Sequence, residues 1–154
     1  MPLPRDIAPC DLDAPPRRRL AVLTCMDARI DLDALLELEL GDAHVIRNAG
    51  AIATTDVIRT LAASQRLLGT EEIIVVQHTD CGIHRMDPKA FAAEVTAETG
   101  VEVDWTVPST DSPQTTLALT LEILRAAPEI PKRDRISGYV LELESGRLLD
   151  PAGQ

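Results

Sequence analysis

Aromatic side chains are scarce: Phe91, Trp105 and Tyr139 are the only three, 2% of the chain. A core without rings has to be built from Val, Ile, Leu and Ala. Basic charge is also short, with 15 Lys and Arg against 25 Asp and Glu and a formal net charge of −10. That balance excludes a basic footprint for nucleic acid or anionic lipid. The run Arg17-Arg18-Arg19 leads straight into apolar residues and reads as a solvated strand entry. No apolar run approaches the ~20 residues that a membrane span needs. Met1 to Pro16 lacks an apolar stretch of signal-peptide type, so the expectation is a cytoplasmic protein. Cysteines number three, Cys10, Cys25 and Cys81. An odd count without a secretory signal argues against a disulfide framework and for metal ligation where a His lies near. Cys10, in a proline-rich stretch, reads as a free thiol without a role.

What is present suits one domain. The 154 residues are 45% hydrophobic and 26% charged, enough for a real core and too little for two. Residues 1–16 read as an N-terminal arm and 17–154 as the domain. Leu20 to Thr24, Ala43 to Arg47 and Ile73 to Val76 are short apolar runs of strand type. Leu32, Leu35, Leu36 and Leu40 have helical spacing, which predicts a helix over 31–40 closed by Gly41. Thr54 or Thr55 is placed to cap a second helix ending at Gly69. Helices are predicted over 86–99 and from Ser112-Pro113 to Pro128. A strand around Tyr139 to Leu143 follows, turned back at Ser145-Gly146. The order predicts an α/β fold with a mostly parallel central sheet of four to five strands flanked by helices, its first three strands parallel.

Two clusters carry chemistry. Cys25-Met26-Asp27-Ala28-Arg29 follows the first strand, and His78-Thr79-Asp80-Cys81-Gly82 follows the third. Strand carboxyl ends are where sites gather in open parallel sheets, so clusters remote in sequence can meet there. Cys and His are preferred zinc ligands, and three of them with a fourth position open mark a catalytic site. Cys25, His78 and Cys81 make such a set. Two thiolates cancel the formal charge of Zn2+, which makes the metal a weaker Lewis acid than one on three imidazoles. Asp27 either takes the fourth position itself or pairs with the guanidinium fork of Arg29 and leaves that position to water. His84 and His44 are candidate proton shuttles, and Thr79 and Asp80 are candidates for fixing the His78 tautomer. Trp105 has no neighbours that suggest an anion site.

The pattern C-x-D-x-R, then R-N-A-G, then H-x-x-C-G resembles the β-carbonic anhydrases. Here it is Cys25 to Arg29, Arg47-Asn48-Ala49-Gly50 and His78 to Gly82. The resemblance implies zinc on Cys25, His78 and Cys81, with Asp27, paired to Arg29, orienting a zinc hydroxide. It implies that the backbone around Gly50 lines the site and helps hold Asp27, with Ala49 and Gly82 also in the substrate pocket. The implied reaction is hydration of CO2 to bicarbonate and a proton. Homodimers or larger assemblies are implied, with an arm such as residues 1–16 around the neighbour. Gln77 departs from the Gly that many members carry before the zinc His. Carbonyl sulfide and carbon disulfide hydrolases are similar and share the ligands and dyad, so COS or CS2 stays open as the substrate. So does a non-catalytic zinc-binding oligomer with Asp27 locked on the metal.

Overall fold

The computed structural model describes residues 11–107, 110 and 112–151. Residues 1–10, most of the expected arm and Cys10 with it, lie outside the described residues.

Strands β1 (Leu20–Cys25), β2 (Ala43–Asn48), β3 (Glu72–His78), β4 (Ile136–Glu142) and β5 (Arg147–Leu149) form one sheet. Its order is β2-β1-β3-β4-β5. Pairing is parallel from β2 through β4, and only β4 and β5 run antiparallel. The parallel part is thus one strand longer than the sequence predicts, and β4 begins three residues before Tyr139. All six residues of β1 are buried. A strand covered on both faces needs a continuous apolar run, which Leu20 to Leu23 supply.

Helices α1 (Leu32–Leu36), α2 (Thr55–Leu68), α3 (Pro88–Thr99) and α4 (Pro113–Ala126) lie between the strands, with a 3-10 turn over Gly82–Arg85. Each start has a local cause. Thr54 accepts from the Val57 amide, Ser112 from the Thr115 amide, and Asp87 from Lys89 and Ala90, each satisfying amides that a first turn leaves open. The helix expected over 31–40 is corrected to Leu32–Leu36. Glu37 turns left-handed at φ 50°, and the Arg18 guanidinium takes the Leu36 and Glu37 carbonyls at 3.2 and 3.3 Å. Leu40, expected on the apolar face, is 78% exposed, and Gly41 (φ 86°) turns the chain into β2 rather than ending α1.

The core is aliphatic, as the missing rings require. Leu23, Leu61, Ile73, Val75, Val76, Leu117, Leu124, Ile130 and Val140 are fully buried. At roughly 1.5–3 kcal/mol for each large apolar side chain buried, they dominate the favourable side of folding. Phe91 and Trp105 pack on each other, ring centroids 6.0 Å apart, away from this cluster.

The chain runs from β1 outward to β2, then crosses back to β3 on the other side of β1. The sheet therefore reverses its winding between β1 and β3. A crevice opens at such a point outside the strand carboxyl ends. Cys25 is the last residue of β1 and His78 the last of β3.

Candidate metal centre

The two loops that leave this crevice bring Cys25, His78 and Cys81 together, with one donor atom from each and all three within 4.8 Å of one another. The two sulfurs are 3.9 Å apart. Two thiolates on a tetrahedral zinc, with Zn–S of about 2.3 Å, stand about 3.8 Å apart. The residues present therefore fit the ion. His78 is fully buried, and its Nδ1 donates to the Thr79 carbonyl at 2.9 Å. That bond leaves Nε2 as the lone-pair nitrogen. Among the described residues Nε2 has no partner. An unpartnered buried nitrogen costs about 1–3 kcal/mol, and a metal ion removes that cost.

The sulfurs differ in ionisation. Burial pushes the Cys25 thiol up, but the His78 ring beside it and the backbone at Asp27 and Gly50 bring it down to about 7. Cys81 is raised, by burial first and then by its neighbour Cys25, against amide bonds from Ile83 and His84. Those two amides belong to the 3-10 turn, which sequence periodicity does not show. Two adjacent buried thiols cannot both ionise cheaply unless a cation joins them.

Asp27 stands at the mouth with its side chain 16% exposed. Oδ1 accepts from the Arg29 amide at 2.9 Å and from Arg29 Nε at 3.0 Å, and Oδ2 accepts from the guanidinium at 2.8 Å. The Arg29 side chain and amide hold the Asp27 carboxyl well below the usual carboxylate range. Asp27 Oδ2 lies 3.9 Å from His78 Nε2, so this tethered carboxylate borders the space between the donors. Arg29 reaches across to the other loop as well, with 2.8 Å to Asp80 Oδ2 and 2.9 Å to the Asp80 carbonyl. Arg85 pairs with Asp80 from outside.

The remaining candidates fall as follows. The expectation that the Gly50 backbone holds Asp27 is corrected: Arg29 supplies those bonds. Gly50 has φ 81°, and a Cβ there would meet Ile83 Cγ2 at 3.3 Å, so the position suits glycine. Ala49 is half-buried beside it and Gly82 is exposed at the head of the 3-10 turn. Thr79 orients His78 through its carbonyl, while its hydroxyl accepts from the Leu143 amide. Asp80 bonds Arg29 instead of His78. His84 faces Thr116 at 3.2 Å, and His44 faces Ser64 at 2.8 Å and the Ala14 carbonyl at 3.3 Å.

Two residues do work that their sequence context leaves unassigned. Arg47 donates to the carbonyls of Cys25 and Asp27 at 2.9 Å and of Ile30 at 3.1 Å, and so clamps the whole first loop. Gln77, fully buried, donates to the carbonyls of Gly50 at 2.8 Å and Ala51 at 2.9 Å.

Comparison with known proteins meets this geometry at the same residues. The family model described as carbonic anhydrase matches residues 20–116, which contain both loops. β-Carbonic anhydrase 1 of Mycobacterium tuberculosis is 40% identical over 137 residues, covering 89% of this chain and 84% of that protein. The chain belongs to the β-carbonic anhydrase family. Within the family it is also 39% identical over 161 residues to a carbon disulfide hydrolase of Acidianus sp. (strain A1-3), covering 89% of this chain and 79% of that protein. Among solved structures, carbonic anhydrase from Streptococcus mutans superposes with a TM-score of 0.85 at 35% identity, covering 93% of this chain and 87% of that one. An apo carbon disulfide hydrolase superposes at 0.78 and 38% identity, covering 89% and 80%. The five-stranded, mostly parallel sheet is this family's α/β architecture.

Proposed function

We propose that this protein converts carbon dioxide and water reversibly to bicarbonate and a proton, with zinc held by Cys25, His78 and Cys81. The observation that carries this reading is the convergence of two buried sulfurs and an unpartnered imidazole nitrogen beside a carboxylate already tied at both oxygens. Zinc, when bound, supplies the Lewis acidity that lets water ionise near neutral pH.

The chain's own residues supply the rest. Asp27 is ionised at any working pH, so it only accepts; it takes a hydrogen bond from the attacking water and turns a lone pair toward the substrate carbon. Arg29 keeps the carboxylate from swinging inward as a fourth ligand, because leaving Arg29 would break three hydrogen bonds. Arg29 also joins the loop after β1 to the loop after β3 through Asp80, so donors and gatekeeper keep one geometry. Preorganisation of this kind is where positioning gains its rate effect. In the forward direction the water oxygen bonds to carbon and one proton leaves to buffer.

Carbon disulfide or carbonyl sulfide is the second reading, favoured by the hydrolase relatives. One difference supports CO2. The mycobacterial relative matches 89% of this chain with 137 residues, whereas the hydrolase takes 161 for the same share, so it carries additional residues inside the matched stretch. We infer a cytoplasmic homodimer or larger homo-oligomer. Support comes from the edge position of β2 with Val45 45% exposed, and from Leu40 and Leu67, each 78% exposed.

The test loads purified protein with zinc and follows CO2 hydration by stopped flow across pH, beside COS and CS2 hydrolysis. One zinc per chain and CO2 turnover far above sulfur turnover are expected. A zinc-loaded protein inert to CO2 at all pH values would leave the non-catalytic alternative standing.

A further inference from the structure

Arg29 decides whether Asp27 stays clear of the donors, yet its own side chain is 51% exposed. A long side chain at the surface keeps one rotamer only when contacts hold it from more than one side. Asp27 supplies one side, accepting from Nε and from one terminal nitrogen. Asp80 supplies the other. Its Oδ2 accepts from the second terminal nitrogen at 2.8 Å, and its carbonyl accepts at 2.9 Å from the nitrogen that also serves Asp27. The guanidinium is thus gripped along two edges by two carboxylates on two loops.

Asp80 takes an uncommon backbone shape to do this. It is left-handed at φ 54°, a region that costs a Cβ-bearing residue and that Asp and Asn tolerate better than most. In that turn, between His78 and Cys81, both its carbonyl and its carboxylate reach Arg29. Arg85, from the 3-10 turn, closes on the other oxygen of the same carboxylate. An alternating row results, Asp27–Arg29–Asp80–Arg85, running from the donors to the surface. The Asp80 and Arg85 side chains are 47% and 74% exposed, and exposed pairs add little to stability. What the row fixes is direction. Arg29 also lines a cavity of about 590 Å3 together with Glu142 and Glu144, so other carboxylates are at hand should Asp80 let go.

We propose that Asp80 is the positioning residue that keeps the metal's fourth position free: by fixing Arg29 from behind, it stops Asp27 from leaving the guanidinium for the metal. This role rests on the metal reading above. Asp27 Oδ2 lies only 3.9 Å from His78 Nε2, so a short movement would bring the carboxylate among the donors. A plain charge effect has the opposite sign. Deleting a negative charge beside the centre should by itself favour an anion there, whereas a released Asp27 would compete with that anion for the ion.

The experiment loads the full chain with Co2+, whose visible spectrum reports its ligands, and titrates azide onto the metal. Wild type is expected to take one cobalt per chain and to bind azide. Asp80→Gly adopts the left-handed turn without strain and removes the carboxylate. It should keep its cobalt and a near wild-type thermal midpoint, while azide affinity falls at least about 10-fold, the lower end of what partners behind a metal's ligands usually control. Asp80→Asn tolerates the same turn and keeps one acceptor oxygen, so it should lose less. In an Asp27→Ala background the Asp80→Gly change should no longer weaken azide, since no carboxylate is left to turn inward. Azide affinity that stays level or tightens in Asp80→Gly overturns the proposal, and so does an equal loss in the Asp27→Ala background. Should Asp80→Gly not fold, the wild type decides through its Arg29 guanidinium NMR signals. Separate Nη resonances are expected from a group held on two edges, and resonances averaged by free rotation overturn the proposal. Wild type that takes cobalt but no azide overturns it too. Wild type that binds no metal removes the metal reading, and this role with it.

Discussion

Asp27 accepts three hydrogen bonds from one residue, and all three need a charged or lone-pair oxygen. Asp27→Asn replaces one of those oxygens by NH2, which turns a donor toward the Arg29 donors. The ligands themselves are untouched. We expect metal content to stay near one per chain while kcat for CO2 hydration falls roughly 100-fold or more, the range for losing a positioned proton acceptor. Metal analysis and stopped-flow assays on one preparation check this, and full activity in the variant would remove Asp27 from the mechanism. Cysteine and histidine candidates were legible in the sequence because strand ends and donor chemistry point to them independently. Arg47 and Gln77 were not. Their partners are backbone carbonyls of loops, and which way a carbonyl turns depends on dihedrals such as the left-handed Gly50 and Ala51.

Among elements, those with local punctuation were readable. Thr54, Gly69 and Ser112 bound α2 and α4 as their residue types suggest. α1 was over-read because Leu40 keeps helical spacing, whereas a tertiary contact from Arg18 ends the helix at Glu37. β4 was under-read at its start because Ile136-Ser137-Gly138 lacks an apolar run. Gly138 has a packing cause: α4 crosses so closely that a Cβ would lie 2.6 Å from Leu117 Cδ1 and 3.1 Å from Leu121 Cδ1. Leu117 is fully buried, so its methyl can give way only by a side-chain rotation or a shift of α4. Gly138→Ala should therefore destabilise the protein by about 1–3 kcal/mol, the usual cost of overpacking. The expected signature is a lower denaturant midpoint with an unchanged slope. An unchanged or raised midpoint would mean that α4 yields without strain.

At the scale of the whole molecule, opposing charges set the acid limit. The net charge of −10 repels itself, and protonation relieves that repulsion as pH falls. Against it stand carboxylates held by specific cations where strands begin. Glu71 faces Lys132 at 2.7 Å, Arg19 at 3.0 Å and Arg135 at 3.2 Å, and Lys132 first among these holds its carboxyl below the ordinary 4.5. Asp42 is likewise lowered from 3.8, by the Glu39 amide first and then by Arg17. A depressed folded value means that the unfolded chain takes up the proton first. The stabilisation is then complete above the ordinary value and drains as pH falls through it toward the folded one. Few carboxyls titrate between pH 7 and 5, but burial holds the His84 imidazole below its ordinary 6.5, so the unfolded chain takes up that proton first; the thermal midpoint should ease downward there and drop steeply below about pH 4.5. Glu71→Gln should start lower at pH 7 and lose less on acidification, so that the two curves converge near pH 3. Because these pairs are exposed, added salt should narrow the same gap at pH 7. Parallel curves for wild type and Glu71→Gln would show that relief of global repulsion, rather than this cluster, governs the acid limb.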